Sequence, residues 1–361
     1  MVAKIEKKAH TSHRYVGQEV TGETKIAIFA DTPTTMSRNP DNRKRAPIPV
    51  PEPAPLPDPE TIDIEGIFNE YVDGGIDLVV VLGPTASGKT RYAVALAKRF
   101  RELGRPAEIL SADSRQVYRG MDIGTGKDLC EYEDVPYHLI DIVDAGSRFD
   151  LYQWQEAFEV AYKDIRERGA IPVLCGGTGL YIQAATCGYS LPQAPPDPEL
   201  RASLEQYDIE ELREKLAEMG PLPDEGVLQS KRRVIRALEV AFYEAEHPGR
   251  RDVYLPKKPY FIGTLVSREE RNARIDRRLD ERLKEGMVDE VKRLIASGVS
   301  PEDLMYYGLE YKFLTQHVLG ILTMTEMRTL LSNAIHQFAK RQMTWFRGME
   351  KSGCRIHWVE P

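Results

Sequence analysis

The amino-acid sequence predicts an α/β fold: a parallel sheet flanked by helices and interrupted by a mainly helical insertion. Three observations lead there. Ile76–Leu82 is almost uniformly aliphatic and β-branched, the pattern of a parallel strand buried on both faces. It runs directly into the glycine loop GPTASGKT at 83–90, and that loop opens a segment of helical periodicity. Strand-like and helix-like segments then alternate as far as Gly188, the rhythm of crossover connections that bring ligands to the carboxyl ends of the strands.

Each element follows from its local pattern. Residues 1–35 hold two short strand-like runs, Arg14–Glu19 and Thr24–Ala30, read as a small N-terminal appendage of unknown role. In residues 36–60 proline recurs too often for a helix or a central strand, so this stretch is a linker or a surface strap. A short helix at Ile62–Tyr71 begins the core, whose first part covers 61–188. Thr90–Leu103 repeats apolar residues at Ala93, Leu96, Ala97 and Phe100, as a helix requires. Strands follow at Ala107–Ala112, Tyr137–Ile142 and Ile171–Leu174, with an amphipathic helix at Tyr152–Arg168. After a Pro-rich turn, residues 189–258 form the helical insertion, with helices over Glu199–Met219 and Val227–Ala245. Residues 259–361 return to the core through a strand at Tyr260–Val266 and helices at Arg268–Lys284 and Val288–Ala296. A long helix then spans Met324–Phe346, before a terminal strand at Ile356–Val359. In that helix Leu331, Ile335, Phe338, Gln342 and Trp345 form one stripe toward the core, and Trp345 and Phe346 are read as core residues.

Composition narrows the class. Of 361 residues, 42% are apolar and 29% charged, a globular balance. Apolar runs are too short to cross a bilayer, and the first thirty residues lack the apolar centre of a secretory signal. The four cysteines form no Cys-x-x-Cys pair and the histidines complete no zinc spacing, which points to reduced thiols in the cytoplasm. A net charge of -7 argues mildly against nucleic acid as a partner. It conceals local basic excess, however. Leu228–Arg293 holds 17 Lys and Arg against 12 Asp and Glu, and His336–Pro361 holds 5 against 2.

The chemistry concentrates at a few places. Gly83, Gly88, Lys89 and Thr90 complete the pattern G-x-x-x-x-G-K-[ST] between the strand and helix it needs, which makes the core P-loop nucleoside-triphosphate-hydrolase-like. Glycines let the backbone wrap an anion, the helix amino end and Lys89 add positive field, and the Thr90 hydroxyl suits Mg²⁺. The loop alone leaves nucleoside triphosphate and isoprenoid diphosphate both open. Asp113, just beyond the second strand, suits proton acceptance or a magnesium shell, and a helix-capping role is the plainer reading. Thr125 and Lys127 in the turn 120–127, and Gly176, Gly177 and Thr178 after the fourth strand, form two further loops toward the same ligand. Gln116 and Tyr118 offer polar and stacking contacts there. Arg274 and Arg278 share one helical face, while Lys231, Arg232, Arg233 and Arg236 form a basic ridge.

Six motifs occur in order: GPTASGKT at 83–90, SADSRQVYRGMDIGTGKD at 111–128, YHLID at 137–141, GGTGLY at 176–181, RALEV at 236–240 and AKRQMTWFR at 339–347. As a set they resemble the tRNA dimethylallyltransferase family over roughly residues 77–359. The resemblance implies transfer of a dimethylallyl group from its diphosphate to N6 of the adenosine immediately 3′ of a tRNA anticodon. It implies that Lys89 and the loop residues Gly83, Thr85, Ala86, Ser87 and Gly88 hold the donor diphosphate, with Thr90 and Asp113 toward Mg²⁺. Asp113 would accept the adenine proton, Thr178 would position the reacting groups, and Arg278 would meet the diphosphate from the other side. Gln116 would contact the anticodon loop; Ser114, Tyr118, Lys127, Arg232, Arg233 and Arg274 join it as candidate substrate contacts. The insertion would grip RNA. The expected partners are dimethylallyl diphosphate and the tRNA anticodon stem-loop, met by a cytoplasmic monomer with no membrane attachment. The sequence departs from the family pattern at Tyr137, at Gln229-Ser230 and at Gly308-Leu309-Glu310-Tyr311, where Glu310 takes the place of a basic residue. A P-loop kinase of a nucleoside or small metabolite, a prenyltransferase of free adenine nucleotide, and a tRNA-binding protein without catalysis are the rival readings.

Overall fold

The computed structural model describes residues 56–187, 194–223, 225–247 and 254–361. The expected appendage at 1–35, most of the Pro-rich stretch and part of the turn after Gly188 lie outside the described residues. Within 56–60 the chain forms neither helix nor strand, and Glu60 N donates to Trp358 O (2.6 Å).

Eight strands are present among the described residues: β1 (Leu78–Leu82), β2 (Ala107–Ser111), β3 (Tyr118–Arg119), β4 (Tyr137–His138), β5 (Val143–Asp144), β6 (Ile171–Gly176), β7 (Pro259–Thr264) and β8 (Ile356–Val359). Six of them form one parallel sheet in the order β4-β2-β6-β1-β7-β8, and β3 and β5 form a separate parallel pair. β1 lies between β6 and β7, so the chain leaves it to both sides and a crevice opens at its carboxyl end. All five β1 residues are buried. Leu78, Val80 and Leu82 enter one apolar cluster and Val79 and Val81 the other, which is why the strand reads as unbroken aliphatic sequence.

Helices cover both faces. On one face lie α1 (Ile64–Val72) and α2 (Lys89–Glu102), the latter burying Ala93, Leu96, Ala97 and Phe100 as its periodicity requires. On the other lie α3 (Leu151–Glu167), opened by a capping box of Asp150 and Gln153, and α4 (Gly179–Thr186). The insertion carries α5 (Pro198–Leu204), α6 (Ile209–Met219), α7 (Glu225–Leu228) and α8 (Lys231–Glu246). Leu204, Leu212, Leu216, Val234, Ile235 and Leu238 give it a small core of its own. The return segment holds α9 (Arg268–Glu285), α10 (Met287–Ala296), α11 (Pro301–Tyr306), α12 (Leu309–Val318) and α13 (Met324–Lys351).

Three expectations need correction. Only Tyr137 and His138 pair in the expected strand 137–142, because Leu139 and Asp141 adopt left-handed backbone (φ 67° and 56°) that ends the ladder. GGTGLY continues into α4, a helix hidden by its glycines, and α11 and α12 were not anticipated. On α13, Leu331, Ile335 and Gln342 are buried as expected, but Trp345 is 41% exposed; Phe346, on the opposite flank, is the core residue.

Candidate active site

The sheet wall of the site is built from main chain. β1 delivers the phosphate loop, and α2 starts at Lys89 with Gly88 as its left-handed N-cap (φ 84°). Ala86 also has positive φ (61°), as a backbone folded round an anion demands. A Cβ at Gly83 would lie 2.2 Å from Thr264 Oγ1, so only glycine lets β7 approach the loop. Ser87 Oγ contacts Thr264 Oγ1 (2.6 Å); Ser87 is buried and braces the loop from behind. Beyond β2, Asp113 Oδ1 accepts from Arg115 N (3.0 Å), and its other oxygen takes no hydrogen bond from a described residue. Beyond β6, Thr178 N donates to Ala112 O (3.1 Å) and Thr178 Oγ1 accepts from Ser114 N (3.2 Å), tying the GGTG turn to the Asp113 turn. A Cβ at Gly176 would come within 2.3 Å of Ala112 O, so that glycine is what lets the two turns touch.

The opposite wall is built from side chains on helices. Gln342 of α13 bridges two loops: its Oε1 accepts from Thr85 N (2.9 Å) and its Nε2 donates to Gly177 O (2.9 Å). Trp345 packs over Gly179, where a Cβ would be 2.2 Å from the indole. Arg115 donates to Glu310 Oε2 (2.6 Å) and lies over the Phe338 ring at 4.9 Å. From α9, Arg282 and Arg278 both reach Asp128 Oδ2, at 2.8 and 3.3 Å.

Two cavities result, of about 380 and 360 Å³. Lys89, Thr90, Asp128, Glu131, Arg278 and Arg282 line both, so the cavities meet at the phosphate loop. The first also holds Thr85, Asp113, Ser114, Gln116, Thr178 and Trp345. The second holds Ala86, Gly88 and Arg274.

The electrostatics favour an anion at the junction. Burial pulls the Lys89 ammonium below its ordinary value, Cys175 and Asp113 oppose that, and Arg278 reinforces it. Burial likewise disfavours the Arg282 guanidinium, with Arg278 adding to the effect. The Nε of Arg278 is buried without a partner among the described residues. Lys89, Arg278 and Arg282 thus share one junction with the carboxylates of Asp128 and Glu131, and a bound anion there would favour the charged forms of Lys89 and Arg282. Burial pushes the Cys175 thiol up to about 12, which leaves it protonated and unreactive at neutral pH.

The IPP transferase family model matches residues 116–349. A tRNA dimethylallyltransferase of Parabacteroides distasonis is 50% identical over 289 residues, 79% of this chain and 92% of that protein. The chain belongs to the tRNA dimethylallyltransferase family. Another family relative, a tRNA dimethylallyltransferase of Syntrophotalea carbinolica, is 48% identical over 285 residues, covering 79% of this chain and 94% of its own length. The solved tRNA isopentenylpyrophosphate transferase of Bacillus halodurans matches with a TM-score of 0.56 and 35% identity, over 78% of this chain and 89% of that one. A eukaryotic dimethylallyltransferase structure, 22% identical with a TM-score of 0.62, shares the fold over 78% of this chain and 74% of its own.

Several sequence-predicted residues fall elsewhere than this family cavity. Lys127 is 2% exposed; its ammonium donates to Tyr118 O (2.8 Å), Asp122 Oδ1 (2.6 Å) and Asp141 Oδ1, so it is a buried strut rather than a ligand group. The Asp141 that engages it comes from YHLID, a partner that the glycine turn 120–127 does not reveal. Tyr118 is buried against Tyr307 (ring centroids 4.3 Å) and lines neither cavity. Arg232 and Arg233 are exposed on α8 in the insertion and also line neither; Arg233 donates to Gly226 O (2.9 Å), and Lys231 and Arg236 pair with Glu205 and Glu239. Sequence reading passed over Arg115, Gln342 and Arg282 as site residues, and assigned Trp345 to the core. Arg115 and Gln342 lie inside the motifs at 111–128 and 339–347, but the local pattern of these three residues does not reveal their partners. Trp345 was misassigned because it ends the amphipathic stripe.

Proposed function

We propose that this chain transfers the dimethylallyl group of dimethylallyl diphosphate to N6 of the adenosine immediately 3′ of the anticodon in tRNA, releasing diphosphate. At the coarser level, transfer of a dimethylallyl or isopentenyl group to tRNA is the activity of its family and of this chain. The finer reading rests on one observation: Lys89, Arg278 and Asp113 line the same cavity, and one Asp113 oxygen takes no hydrogen bond from a described residue.

The donor diphosphate lies on the loop amides between Lys89 and Arg278. As its carbon–oxygen bond breaks, the electron pair passes to the diphosphate, and the fixed cations stabilise that charge more in the transition state than before it. Adenine N6 attacks the allylic carbon, and the N6 proton passes to the free Asp113 oxygen, so that one bond forms, one breaks and one proton is accepted. Thr178, fixed to the Asp113 turn, positions the reacting groups. No enzyme nucleophile is needed, and the protonated Cys175 does not supply one. Trp345 and Phe338 offer faces on which an unstacked base can lie. Gln116 reaches the RNA beside the flipped base, and the insertion with Arg232 and Arg233 grips it further off.

Mg²⁺ fits this arrangement as a companion of the donor. Among the described residues no group of three or more His, Cys, Asp or Glu is set to hold a metal unaided. Thr90 lines the same cavity and would hold the ion, since Mg²⁺ commonly takes one or two protein oxygens together with substrate phosphates, while the unpaired Asp113 oxygen is left for the adenine proton. Held there, the ion would offset charge on the diphosphate. Among the described residues no helix is long and apolar enough to cross a membrane.

The test is to incubate the protein with Mg²⁺, dimethylallyl diphosphate and unmodified tRNA, digest the RNA and weigh the nucleosides. A dimethylallyl mass gain on the adenosine 3′ of the anticodon is expected. Gain on another nucleoside, or on free adenine nucleotide alone, would overturn the finer reading.

A further inference from the structure

The loop Asp122–Asp128 forms a side of the first cavity through Thr125, Gly126 and Asp128; Lys127 anchors its far end, and one carboxylate holds its first three amides. Glu290 of α10 is 2% exposed. Its Oε2 accepts from Asp122 N (2.9 Å) and Ile123 N (2.8 Å). Its Oε1 accepts from Gly124 N (3.0 Å) and from the Tyr311 hydroxyl (2.6 Å). No cation of the described residues contacts it. Three successive amides and a phenol carry the whole charge, an arrangement in which the backbone forms an anion nest. Burial and the adjoining Glu290 push the Tyr311 hydroxyl well above its ordinary value, so it stays a donor. Gly124 is what admits Tyr311, since a Cβ there would lie 2.7 Å from the ring.

From this anchor the loop reaches both walls of the site. Gly126 O accepts from Gln116 Nε2 (3.1 Å), and Gln116 Oε1 accepts from Ser111 Oγ (3.0 Å). Asp128 holds Arg282 and Arg278. Both guanidiniums also lie directly over Gly126, where a Cβ would come within 2.1 Å of Arg282 and 2.3 Å of Arg278. A shift of the loop therefore moves Gln116 and both guanidiniums together.

We propose that Glu290, with Tyr311 as its partner, is a positioning residue of the transfer reaction: it fixes the 122–128 loop, and through that loop the guanidiniums that meet the donor diphosphate. This rests on the reading of the site as a diphosphate cradle. The full chain would be compared with Glu290→Gln and Tyr311→Phe for kcat, for KM toward dimethylallyl diphosphate and tRNA, for melting temperature, and for calorimetric affinity toward Mg²⁺-diphosphate alone. Glu290→Gln keeps the size but sets an amide NH₂ against at least one backbone donor, whichever way it is turned. About a tenfold rise in donor KM and in diphosphate Kd is expected, with kcat within about threefold. Tyr311→Phe removes one of four bonds and moves the same two constants in the same direction by a few-fold; it decides the matter if Glu290→Gln does not fold. Variants that melt lower but keep wild-type KM and diphosphate affinity would reduce Glu290 to a structural role and overturn the proposal. A wild-type protein that moves no dimethylallyl group to tRNA would instead overturn the underlying reading, and is recognised by that alone.

Discussion

On the sheet side of the cavity the chemistry is held by main chain: loop amides, glycines that admit close neighbours, and Asp113 and Thr178 at strand ends locked by backbone hydrogen bonds. On the helical side it is held by long side chains, Arg278 and Arg282 from α9 and Phe338, Gln342 and Trp345 from α13. The first wall is rigid because each of its groups is a few bonds from a strand. The second is positioned by the packing of helices far apart in sequence and by the bonds its long side chains make to loops, Arg278 and Arg282 to Asp128 and Gln342 to Thr85 N and Gly177 O. Division of labour follows: acceptance of the adenine proton belongs on the strand-end wall, where small displacements cost most, and the grip on the donor diphosphate and the unstacked base is shared with the long side chains of the helical wall.

Substituting across the two walls tests that division. The largest effect is expected from Asp113→Asn, which preserves the bond from Arg115 N but removes the base. Single-turnover transfer should fall about 100-fold or more while diphosphate and tRNA affinities hold. A matching loss of tRNA binding would erase the distinction between the walls. Trp345→Ala should act in the opposite sense. Loss of one stacking face, worth about 1–3 kcal/mol in single-stranded nucleic-acid sites, should raise tRNA KM at least several-fold and leave donor affinity alone.

The smallest effect is expected on the sheet but away from the cavity. Arg168 and His138 hold the Glu108 carboxyl below its ordinary value, against the opposing effect of burial. Because the folded value is the depressed one, the stabilisation is complete above the unfolded value, near 4.5, and is lost as pH falls through the folded one. Glu108→Gln should therefore cost about 1 kcal/mol at neutral pH, discounted because Arg168 is half-exposed, and the gap in melting temperature should close in acid. Transfer kinetics should not change.

The same contrast explains what could be read from sequence. GPTASGKT, Asp113 and GGTGLY are legible because their constraints are local: a turn needs its glycine, and a strand end presents the next residue. The aliphatic run of β1 is legible because burial on both faces allows nothing else. Arg115, Arg282 and Gln342 are not, since their meaning comes from partners brought by tertiary packing: Glu310, Asp128 and two main-chain groups at Thr85 and Gly177. Lys127 misled for that reason too. Its glycine-rich context suggested a ligand, and only Asp141 on a distant turn makes it a strut. Glu310, read as a lost positive charge on an RNA face, is the half-buried partner of Arg115.

The central claim is that the phosphate loop holds the diphosphate of an isoprenoid donor. The most direct measurement is calorimetric titration of the wild type and of Lys89→Ala with dimethylallyl diphosphate and, separately, ATP, both with Mg²⁺. Loss of one charged hydrogen-bond donor costs about 1.5–3 kcal/mol, so dimethylallyl diphosphate should bind the wild type and bind Lys89→Ala about 10- to 150-fold more weakly, with ATP the poorer ligand throughout. Tight binding of ATP beside no measurable binding of dimethylallyl diphosphate would contradict the account.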